Sequence, residues 1–443
     1  MSSYSFDDLK MRLKQREATV GVIGLGYVGL PLCLAFAEAG CHVLGFDIDP
    51  DKPKSINAGR SYLEQFASER IAKLVEKKRL SGTANMDRLS EPDALFICVP
   101  TPLTKHLAPN LTYVEQTVRA IAKQLRPGQL VVLESTTYPG TTEEVVRPIL
   151  EETGLVVGQD IWLAFSPERE DPGNATHTTT TIPKVVGADD EESLTLAEAA
   201  YQIFGSQTVR VSTSATAEAV KITENIFRAV NIALVNELKI VYNKMGINIW
   251  EVVDAAKTKP FGYMPFYPGP GLGGHCIPID PFYLTWKAKE YGLSTRFVEL
   301  AGQINTDMPG YVVSELAKAL DQRFRKGLNN SKILILGVAY KKNIEDIRES
   351  PSLKLIEMLE ARGALCDFYD PHINQIGETR DHPTLNRRFG VPWNLEKFTS
   401  YDAALIATDH DGVDYEGLCR SVSLVVDTRN ACASVSSGNV VTA

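Results

Sequence analysis

The segment that decides the fold is TVGVIGLGYVGLPLCLAFAEAGCHVLGFD, residues 19–47. Its pattern predicts an apolar strand over 19–23, a glycine-rich turn, an apolar helix to about residue 39, and a second strand over 42–46. Gly24 allows a tight turn, Gly26 lets a ligand approach the main chain, and Gly29 lets the helix pack closely on the strand. Such a turn between a strand and a helix is typical of a dinucleotide-binding unit, because the first N–H groups of the helix hold phosphates.

The same segment indicates which dinucleotide binds. Asp47 ends the second strand, 18 residues after Gly29. A carboxylate there accepts hydrogen bonds from the adenosine ribose and repels a 2′-phosphate, so we predict NAD rather than NADP. Lys52 either reaches a phosphate or the ribose, or is an ordinary solvated lysine. The predicted cofactor contacts of this segment are Gly24, Gly26, Tyr27, Val28, Gly29, Asp47 and Lys52.

Further apolar segments predict parallel strands in the same sheet; they are 93–102, 129–137 and 160–170. Ligands of such sheets bind at the carboxyl ends of the strands, which places Thr101, Ser135 and Thr136 beside the nicotinamide. The last strand leads into Glu168. That carboxylate either faces the site or belongs to a solvated charged loop, and the apolar strand before it favours the site.

The middle of the chain predicts one long helix and one unusual loop. Residues 214–247 keep an approximately helical apolar period with almost no helix breakers. Lys221 and Asn225 lie one turn apart on this helix, either as site residues or as a snorkelling lysine beside a capping asparagine. The loop GPGLGGHCIPIDP, 269–281, is too rich in glycine and proline for a helix or a central strand, yet it carries Cys276 and Asp280.

The C-terminal third alternates strands and helices again, beginning at residue 331. Gly337 stands alone where a dinucleotide turn needs three glycines. The basic residues near the predicted strand ends are Lys341, Lys342, Arg348 and Arg429. These residues either bind an anion through their side chains, or they belong to the charged loops of a domain that only covers the site. The predicted fold class is therefore α/β, with two doubly wound Rossmann-like domains joined by a central helical domain with one long helix.

Composition limits the function. The 443 residues suffice for about three domains, predicted at 1–211, 212–310 and 311–443. The net charge of −9 argues against a nucleic-acid or anionic-membrane surface. The polar start argues against a signal peptide. No apolar run reaches the roughly 20 residues that a membrane span needs. Seven cysteines without a C-x-x-C pair favour a reduced, cytoplasmic protein, and His275 beside Cys276 makes a poor zinc motif, so we expect no metal.

Over essentially its whole length the chain resembles the UDP-sugar 6-dehydrogenases, which oxidise the C6 alcohol of a nucleotide sugar to a uronic acid. The matching motifs are GLGYVGLP, VPTP, ESTTYPG, SPE, KITEN, GLGGHCIPIDP and GVAYKKNIEDIRESP. The G-x-G-G-x-C-x-x-x-D loop is the most specific of them. The segments SPEREDPGN and GGHCIPIDPFYL resemble the branch that acts on UDP-N-acetylamino sugars, above all on UDP-N-acetyl-D-glucosamine. Pro172 stands where the UDP-glucose branch has its second glutamate.

The resemblance implies roles for individual residues. It makes Cys276 a nucleophile that forms a thiohemiacetal and then a thioester. Around it, Lys221 and Asn225 stabilise an oxyanion, Asp280 positions a water or takes a proton, Glu168 is the general base of hydrolysis, and Thr136 positions water. The implied cofactor contacts are Thr101, Thr136 and Arg348. The implied contacts to the UDP-sugar are Glu168, Arg169, Lys221, Asn225, Gly273, Gly274, His275, Lys341 and Arg429.

Alternatives remain at this level. The same reaction on the N-acetyl-mannosamine, N-acetyl-galactosamine or glucose derivative of UDP stays an alternative, and the motifs separate the C2 and C4 epimers less securely than they separate glucose. A 3-hydroxyacid-type dehydrogenase shares the N-terminal fold and the long helix but needs no cysteine. A non-catalytic NAD-binding protein needs none of the residues around Cys276. We expect a homodimer or a larger homo-oligomer that forms through the long helix.

Overall fold

A computed structural model describes residues 5–63, 65–104, 106, 108–169, 180–274, 277, 279–379, 381–435 and 437–443. These residues form two compact units. The N-terminal unit comprises Met1–Glu224 and Phe282–Leu293, and the C-terminal unit comprises Asn225–Pro281 and Ser294–Ala443. The three predicted domain boundaries stay a prediction, since this division into two units is coarser than they are.

The N-terminal unit is built on an eight-stranded sheet in the order β3-β2-β1-β4-β5-β6-β7-β8. Its strands are β1 (Thr19–Ile23), β2 (His42–Phe46), β3 (Leu80–Thr83), β4 (Ala94–Ile97), β5 (Leu130–Leu133), β6 (Trp162–Phe165), β7 (Lys184–Gly187) and β8 (Thr208–Val211). All neighbours are parallel except β6 and β7. The chain moves outward from β1 in one direction to β3 and then in the other from β4, so a topological switch point lies between β1 and β4.

Helices cover this sheet and continue through the rest of the chain. They are α1 (Phe6–Gln15), α2 (Gly29–Glu38), α3 (Asp51–Asn57), α4 (Ser68–Glu76), α5 (Thr112–Gln124), α6 (Arg147–Glu151), α7 (Glu191–Gln202), α8 (Ser214–Met245), α9 (Ile249–Ala256), α10 (Asp280–Ala288), α11 (Arg296–Phe324), α12 (Pro351–Glu360), α13 (Leu395–Phe398) and α14 (Tyr415–Ser421). Short 3₁₀ segments span Met86–Ser90, Lys289–Tyr291 and Pro383–Leu385, and a π-helical turn spans Thr142–Val146.

The central strands of the N-terminal sheet are buried on both faces. Every residue of β4, β5 and β6 is buried. On one face Phe96 packs among Phe36 and Tyr201, with ring centroids 5.0 and 5.7 Å apart. Apolar side chains of α5 and α6 cover the other face. Burial on both faces explains why these strands read as continuous apolar runs rather than as alternating patterns.

The C-terminal unit contains a parallel five-stranded sheet in the order β10-β9-β11-β12-β13. Its strands are β9 (Lys332–Leu336), β10 (Leu365–Tyr369), β11 (Ala403–Ile406), β12 (Val425–Asp427) and β13 (Val440–Thr442). The order again reverses beside the first strand, between β9 and β11. This sheet, the N-terminal sheet and the long helix α8 confirm the predicted fold class.

One large element was not predicted. Helix α11 has 29 residues and contains Pro309 in its interior. Proline removes a main-chain donor and usually ends a helix, so the sequence pattern there argues for an interruption. Val312 and Leu316 of α11 are buried in the core of the C-terminal unit, and this packing outweighs the local preference. Within the described part of the chain, no helix is both long and apolar enough to span a membrane.

Candidate active site

The predicted glycine turn lies at the switch point of the N-terminal sheet. Gly24 follows β1 with φ +93°, a conformation that side-chain-bearing residues rarely adopt. A Cβ at Gly24 would stand 2.6 Å from the carbonyl oxygen of Cys98, and one at Gly29 only 1.8 Å from that of Gly24. A Cβ at Gly26 would meet no described atom within 4 Å. The turn is therefore packed on its inner side and open at Gly26.

The carboxylate of Asp47 closes this turn from the next strand. Its Oδ2 accepts hydrogen bonds from the main-chain N–H of Leu25 at 2.8 Å and from Lys52 Nζ at 3.0 Å. Its Oδ1 accepts from the N–H of Asp49 at 2.9 Å. Lys52 thus forms an ion pair with Asp47, a pairing that neither sequence interpretation anticipated.

The turn fits a dinucleotide. Gly26 provides space at the start of α2, where the main-chain N–H groups of the first turn and the positive end of the helix favour phosphates. Val28 is the N-cap residue and half-buried, and Tyr27 beside it is 37% exposed. That both residues contact the cofactor stays a prediction.

One hydrogen bond joins two threonines that follow neighbouring strands. Thr101 Oγ1 donates to the main-chain oxygen of Thr136 at 2.7 Å. The main-chain oxygen of Thr101 accepts from the hydroxyl of Tyr283. Thr101 is buried and Thr136 half-buried, so the loops after β4 and β5 form one rim at the carboxyl ends of the strands.

Glu168, after β6, lies beside a buried ion pair that the sequence analysis missed. Lys184 Nζ is 3.0 Å from Glu134 Oε2 and 3.8 Å from Glu168 Oε2. The hydroxyl of Tyr201 donates to Glu134 Oε1 at 2.6 Å. Burial disfavours the charged form of Lys184, but the two carboxylates outweigh it and raise the pKa of Lys184 to about 12. A lysine that opens the apolar strand KVVG was the available signal.

The first half of α8 contacts the same region of the N-terminal unit. Lys221, 4% exposed, donates through Nζ to the main-chain oxygen of Glu168. Arg169 Nη2 forms an ion pair with Glu224 at 2.6 Å, and its Nη1 donates to the main-chain oxygen of Pro183. The structure therefore brings Lys221 and Glu168 together, and it engages the Arg169 guanidinium with a carboxylate of α8.

Asn225 and Asp280 meet in the C-terminal unit. Asn225 is fully buried and donates through Nδ2 to Asp280 Oδ2 at 2.5 Å. Asn225 Oδ1 accepts from the guanidinium of Arg228, one turn further along α8. Because an arginine only donates, this contact fixes which end of the amide is the oxygen, and the amide nitrogen must point at the carboxylate. Arg228 was missed because no spacing rule links it to Asp280.

The glycine loop packs directly on the C-terminal sheet's domain. A Cβ at Gly269 would stand 2.5 Å from Arg429 Nη1, and one at Gly273 2.5 Å from Tyr340 Cβ. The N–H of Gly274 donates to the main-chain oxygen of Arg348 at 3.0 Å. Any side chain at these positions collides, which explains the glycine density of the loop.

The predicted basic residues of this domain differ in their surroundings. Arg429 is half-buried; its Nε donates to the main-chain oxygen of Ala407 at 2.9 Å, and burial lowers its pKa. Arg348 is exposed and forms an ion pair with Asp346 at 2.6 Å. Lys341 is half-buried beside Tyr340. Arg429 therefore lies against the glycine loop, whereas the Arg348 guanidinium is paired with a carboxylate.

The second sheet repeats the switch-point geometry at Gly337 and Asp370. Gly337 has φ +79°, and its Cβ would stand 2.5 Å from the oxygen of Thr408. Asp370 Oδ2 accepts from the N–H of Val338 at 2.7 Å and contacts His410 Nε2 at 3.1 Å. The His410 ring lowers the pKa of Asp370 against the effect of burial. Asp370 therefore closes this turn as Asp47 closes the turn after β1.

Some predicted residues lie outside the described residues. They are His275 and Cys276 of the glycine loop and Pro172 of the segment after Glu168. Among the residues that the structure does describe, no group of three or more His, Cys, Asp or Glu side chains is arranged to hold a metal ion.

The chain matches three consecutive domains of one family. The NAD binding domain of the UDP-glucose/GDP-mannose dehydrogenase family matches residues 18–205, the central domain 215–307, and the UDP binding domain 334–434. Together these ranges cover most of the chain and include strands of both sheets described above.

Individual relatives agree with the family. The chain is 36% identical to the UDP-N-acetyl-D-glucosamine 6-dehydrogenase of Pseudomonas aeruginosa, over 89% of this chain and 91% of that one. It is 35% identical to the UDP-N-acetyl-D-mannosamine dehydrogenase of Pyrococcus horikoshii, over 93% and 95% of the two chains. A solved UDP-D-ManNAc dehydrogenase structure from Pyrococcus horikoshii superposes with a TM-score of 0.85 at 33% identity, covering 93% of this chain and 96% of that one.

Proposed function

Because the chain belongs to the UDP-glucose/GDP-mannose dehydrogenase family and is an NAD-dependent oxidoreductase, we propose that it oxidises the C6 alcohol of UDP-N-acetyl-D-glucosamine to the carboxylate. The overall reaction converts the alcohol, two NAD⁺ and one water into the uronate, two NADH and three protons. The observation that carries the proposal is the buried Asn225–Asp280 hydrogen bond, because Asp280 follows Cys276 by four residues in the glycine loop.

The chemistry uses the chain's own groups. NAD, when bound, accepts one hydride from C6 in each of the two oxidations. The Cys276 thiolate adds to the aldehyde carbon, which keeps the aldehyde bound as a thiohemiacetal and later as a thioester. Lys221 as a cation and Asn225 as a donor stabilise negative charge on the C6 oxygen. Asp280 positions a water or takes a proton.

Hydrolysis then releases the acid. Glu168 takes a proton from water while the water oxygen attacks the thioester carbon, and the Cys276 sulfur leaves as thiolate. Thr136 positions that water. Lys341 and Arg429 contact the UDP part, and Arg348 lies near the cofactor. The sugar is bordered by Arg169, Gly273, Gly274 and His275. These assignments follow the family resemblance and are proposals for this chain.

The choice of sugar is the finer part of the proposal. An acetamido group at C2 offers a donor and an acceptor, and a site that pairs them leaves its own buried groups unpaired when glucose binds. Each unpaired buried group costs about 1–3 kcal/mol. The relatives named above act on epimers at C2 by their names, so the sequence motifs separate N-acetylamino sugars from glucose better than they separate the epimers.

A panel of UDP-sugars tests this choice. NADH formation is measured with UDP-N-acetylglucosamine, its mannosamine and galactosamine counterparts, and UDP-glucose. We expect kcat/KM for UDP-N-acetylglucosamine to exceed that for UDP-glucose by at least about tenfold. Two NADH per uronate are expected, since the reaction removes four electrons. Equal kcat/KM for the two sugars contradicts the substrate assignment, and one NADH per turnover favours a simple alcohol dehydrogenase instead.

We also propose that the protein is a homodimer. Phe227, Leu234 and Val241 stand seven residues apart on α8 and are 47%, 51% and 47% exposed in the C-terminal unit. A seven-residue repeat of apolar side chains forms a continuous seam that a second helix can cover. Leu234→Glu should convert a dimer into a monomer in light scattering, whereas exposed Lys354→Glu on α12 should not. A cytoplasmic location and a role in making a surface-polysaccharide precursor complete the proposal.

A further inference from the structure

Two buried asparagines join the helices α8 and α11 within the C-terminal unit. Asn236 of α8 is 0% exposed, and Asn305 of α11 is 3% exposed. Asparagine is unfavourable inside a helix, because its side chain competes with the main chain for hydrogen bonds. Burial of its amide also costs free energy unless the polar atoms find partners. Two asparagines at such positions are therefore expected to have specific partners.

The two amides form a chain of hydrogen bonds that ends on the glycine loop. Asn236 Oδ1 accepts from the main-chain N–H of Gly269 at 3.0 Å, and Asn236 Nδ2 donates to Asn305 Oδ1 at 2.9 Å. Asn305 Nδ2 donates to the main-chain oxygen of Ala229, also on α8, at 3.0 Å. The N–H at one end of this chain can only donate and the carbonyl oxygen at the other end can only accept. The two ends therefore fix the orientation of both amides.

Helix α11 also contacts the loop directly. Gly271 has φ +141°, a conformation that favours glycine, and a Cβ there would stand 3.4 Å from Pro309 Cγ. Pro309 lies four residues after Asn305 on α11, so the two residues share one face of that helix. This face therefore supports both the Asn236 amide and the loop itself, two residues after Gly269.

Helix α8 holds the glycine loop near both of its ends. Asn236 accepts from Gly269 at the beginning of the loop, and Asn225 donates to Asp280 near its end. The two asparagines are 11 residues apart in the sequence. This spacing is three helical turns to within about 20°, so they lie on the same face of α8, about 16 Å apart along its axis. One continuous helix thereby sets the distance between the two ends of the loop.

We propose that Asn236 is a positioning residue for the reaction: it fixes the beginning of the glycine loop on α8 and so keeps the loop that carries Cys276 in its reactive arrangement. Asn305 acts through Asn236, because it determines which end of that amide faces Gly269. A displacement of about 1 Å in a reacting group costs about a hundredfold in rate. The inference rests on the proposed function, in which Cys276 is the nucleophile. Neither asparagine is assigned a contact with substrate or cofactor.

Two substitutions of Asn236 separate positioning from stability. Asn236→Leu approximately keeps the side-chain volume but removes the acceptor of the Gly269 N–H, so kcat should fall at least about tenfold. Asn236→Asp keeps an oxygen at the same position, so kcat should stay within about threefold of the native value. Both variants should have a lower melting temperature, because the first leaves buried groups unpaired and the second buries a carboxylate. Only the loss of the acceptor should lower kcat.

Hydrogen–deuterium exchange measures the anchor itself. In Asn236→Leu the peptide that covers Gly269 should exchange at least about tenfold faster than in the native protein, because the Gly269 N–H has lost its acceptor. Asn236→Asp should retain the protection. Asn305→Leu leaves Asn236 in place but no longer orients its amide, so exchange at Gly269 should rise about threefold and kcat should fall about threefold.

Asn439→Ala is the matched control. The Asn439 amide also anchors main-chain groups of the C-terminal unit, since its Nδ2 donates to the oxygens of Cys419 and Val422 at 2.8 and 2.6 Å. This variant should have a lower melting temperature but native kcat and native exchange at Gly269. If Asn236→Leu does not fold, Asn305→Leu carries the test, because its kcat should fall whereas that of Asn439→Ala should not.

The outcomes separate the inference from its premise. A lower kcat and faster exchange in Asn236→Leu, both absent in Asn236→Asp, support the positioning role. An equal fall of kcat in the two variants, or native kcat or native exchange in Asn236→Leu, overturns it, and Asn236 then only joins α8 to α11. If Cys276→Ser forms the uronate at the native rate, the proposed function fails instead, whereas exchange at Gly269 still tests the anchor.

Discussion

The carboxylate of Asp47 accepts a hydrogen bond from the main-chain N–H of Leu25 at 2.8 Å, inside the turn that bears the cofactor glycines. One side chain therefore both closes the turn and presents an anion at the end of β2. The ion pair with Lys52 on the same oxygen orients the carboxylate further. The predicted ribose contact and the shape of the glycine turn therefore depend on the same residue.

This coupling predicts the effect of Asp47→Ala. The variant loses the acceptor for the ribose and the repulsion of a 2′-phosphate, so NAD should bind at least about tenfold more weakly while NADP changes less. Fluorescence titration measures the dissociation constants of NAD and NADP, and the ratio between them tests the prediction. Lys52→Met, which keeps the carboxylate, should retain the preference for NAD. A native protein that binds both cofactors equally well is incompatible with the assignment.

Hydride transfer and hydrolysis should depend on different residues. Cys276→Ser should abolish uronate formation, because a serine hydroxyl stays protonated near neutral pH and is then a far poorer nucleophile than a thiolate. Glu168→Gln should form the thioester but hydrolyse it at least about 100-fold more slowly, as expected for the loss of a general base. Intact-mass spectrometry during turnover detects the adduct in Glu168→Gln. Native rates without an adduct in that variant would falsify its role.

Glu218 predicts a pH-dependent stability. It is fully buried on α8 and accepts from the N–H groups of Gly140 and Thr142 at 2.5 and 2.9 Å. Burial raises its pKa to about 7, against the effect of these donors. Because the folded pKa lies above the unfolded one, this group's contribution is complete below about pH 4.5 and is lost as pH rises through 7.

The matched substitution is Glu218→Gln. Relative to the native protein, its free energy of unfolding should increase by about 2 kcal/mol between pH 5 and pH 8, since the amide has no charge to bury. Thermal unfolding at both pH values measures the difference. Exposed Glu76→Gln on α4 serves as the control and should show none. A constant difference between the two pH values would mean that Glu218 is ionised throughout.

Lys239 predicts the opposite dependence of stability on pH. It is 2% exposed, lies 5.3 Å from the Trp250 ring centroid and donates to the main-chain oxygen of Ala443. Burial, followed by the charge of Arg429, lowers its pKa to about 7. Because the folded pKa lies below the unfolded one, its stabilising contribution is present above about pH 10.5 and is lost as pH falls towards 7.

Lys239→Met should therefore stabilise the protein at neutral pH. The expected gain is on the order of 3 kcal/mol at pH 7 and narrows as pH rises towards 10. Lys354→Met, at an exposed position of α12, should change the melting temperature by less than about 1 °C at either pH. A Lys239→Met protein that is less stable than the native one at pH 7 contradicts the burial argument.

The predicted elements agree with the structure where the signal is local. The strands at 19–23 and 42–46 match β1 and β2 residue for residue, and the long helix predicted over 214–247 is α8, Ser214–Met245. Gly24 has the positive φ that its position in the turn required. Apolar periodicity and the steric freedom of glycine are properties of neighbouring residues, so a linear pattern suffices to predict them.

The C-terminal domain contains a contact that local sequence patterns do not predict. Its single Gly337 indicated a sheet without the dinucleotide fingerprint, which agrees with the match to a UDP binding domain. One contact of this domain depends on the fold: His410 Nε2 contacts the carboxylate of Asp370, whose counterpart in the N-terminal sheet is Asp47. His410 lies 40 residues from Asp370 in the sequence, and no sequence pattern predicts this contact.

By itself the sequence determined the βαβ unit, the preference for NAD, the family and the loop that carries Cys276, because these depend on short spacings and on side-chain chemistry. Only the tertiary structure decided that Lys184 lies between Glu134 and Glu168, that Arg228 orients Asn225 toward Asp280, and that Glu218 holds the loop of Gly140 and Thr142. These partners are up to 78 residues apart. Apart from the Arg228–Asn225 pair, which lies one turn apart on α8, these contacts arise from strand order and helix packing, and the spacing of the partners along the chain has no fixed period.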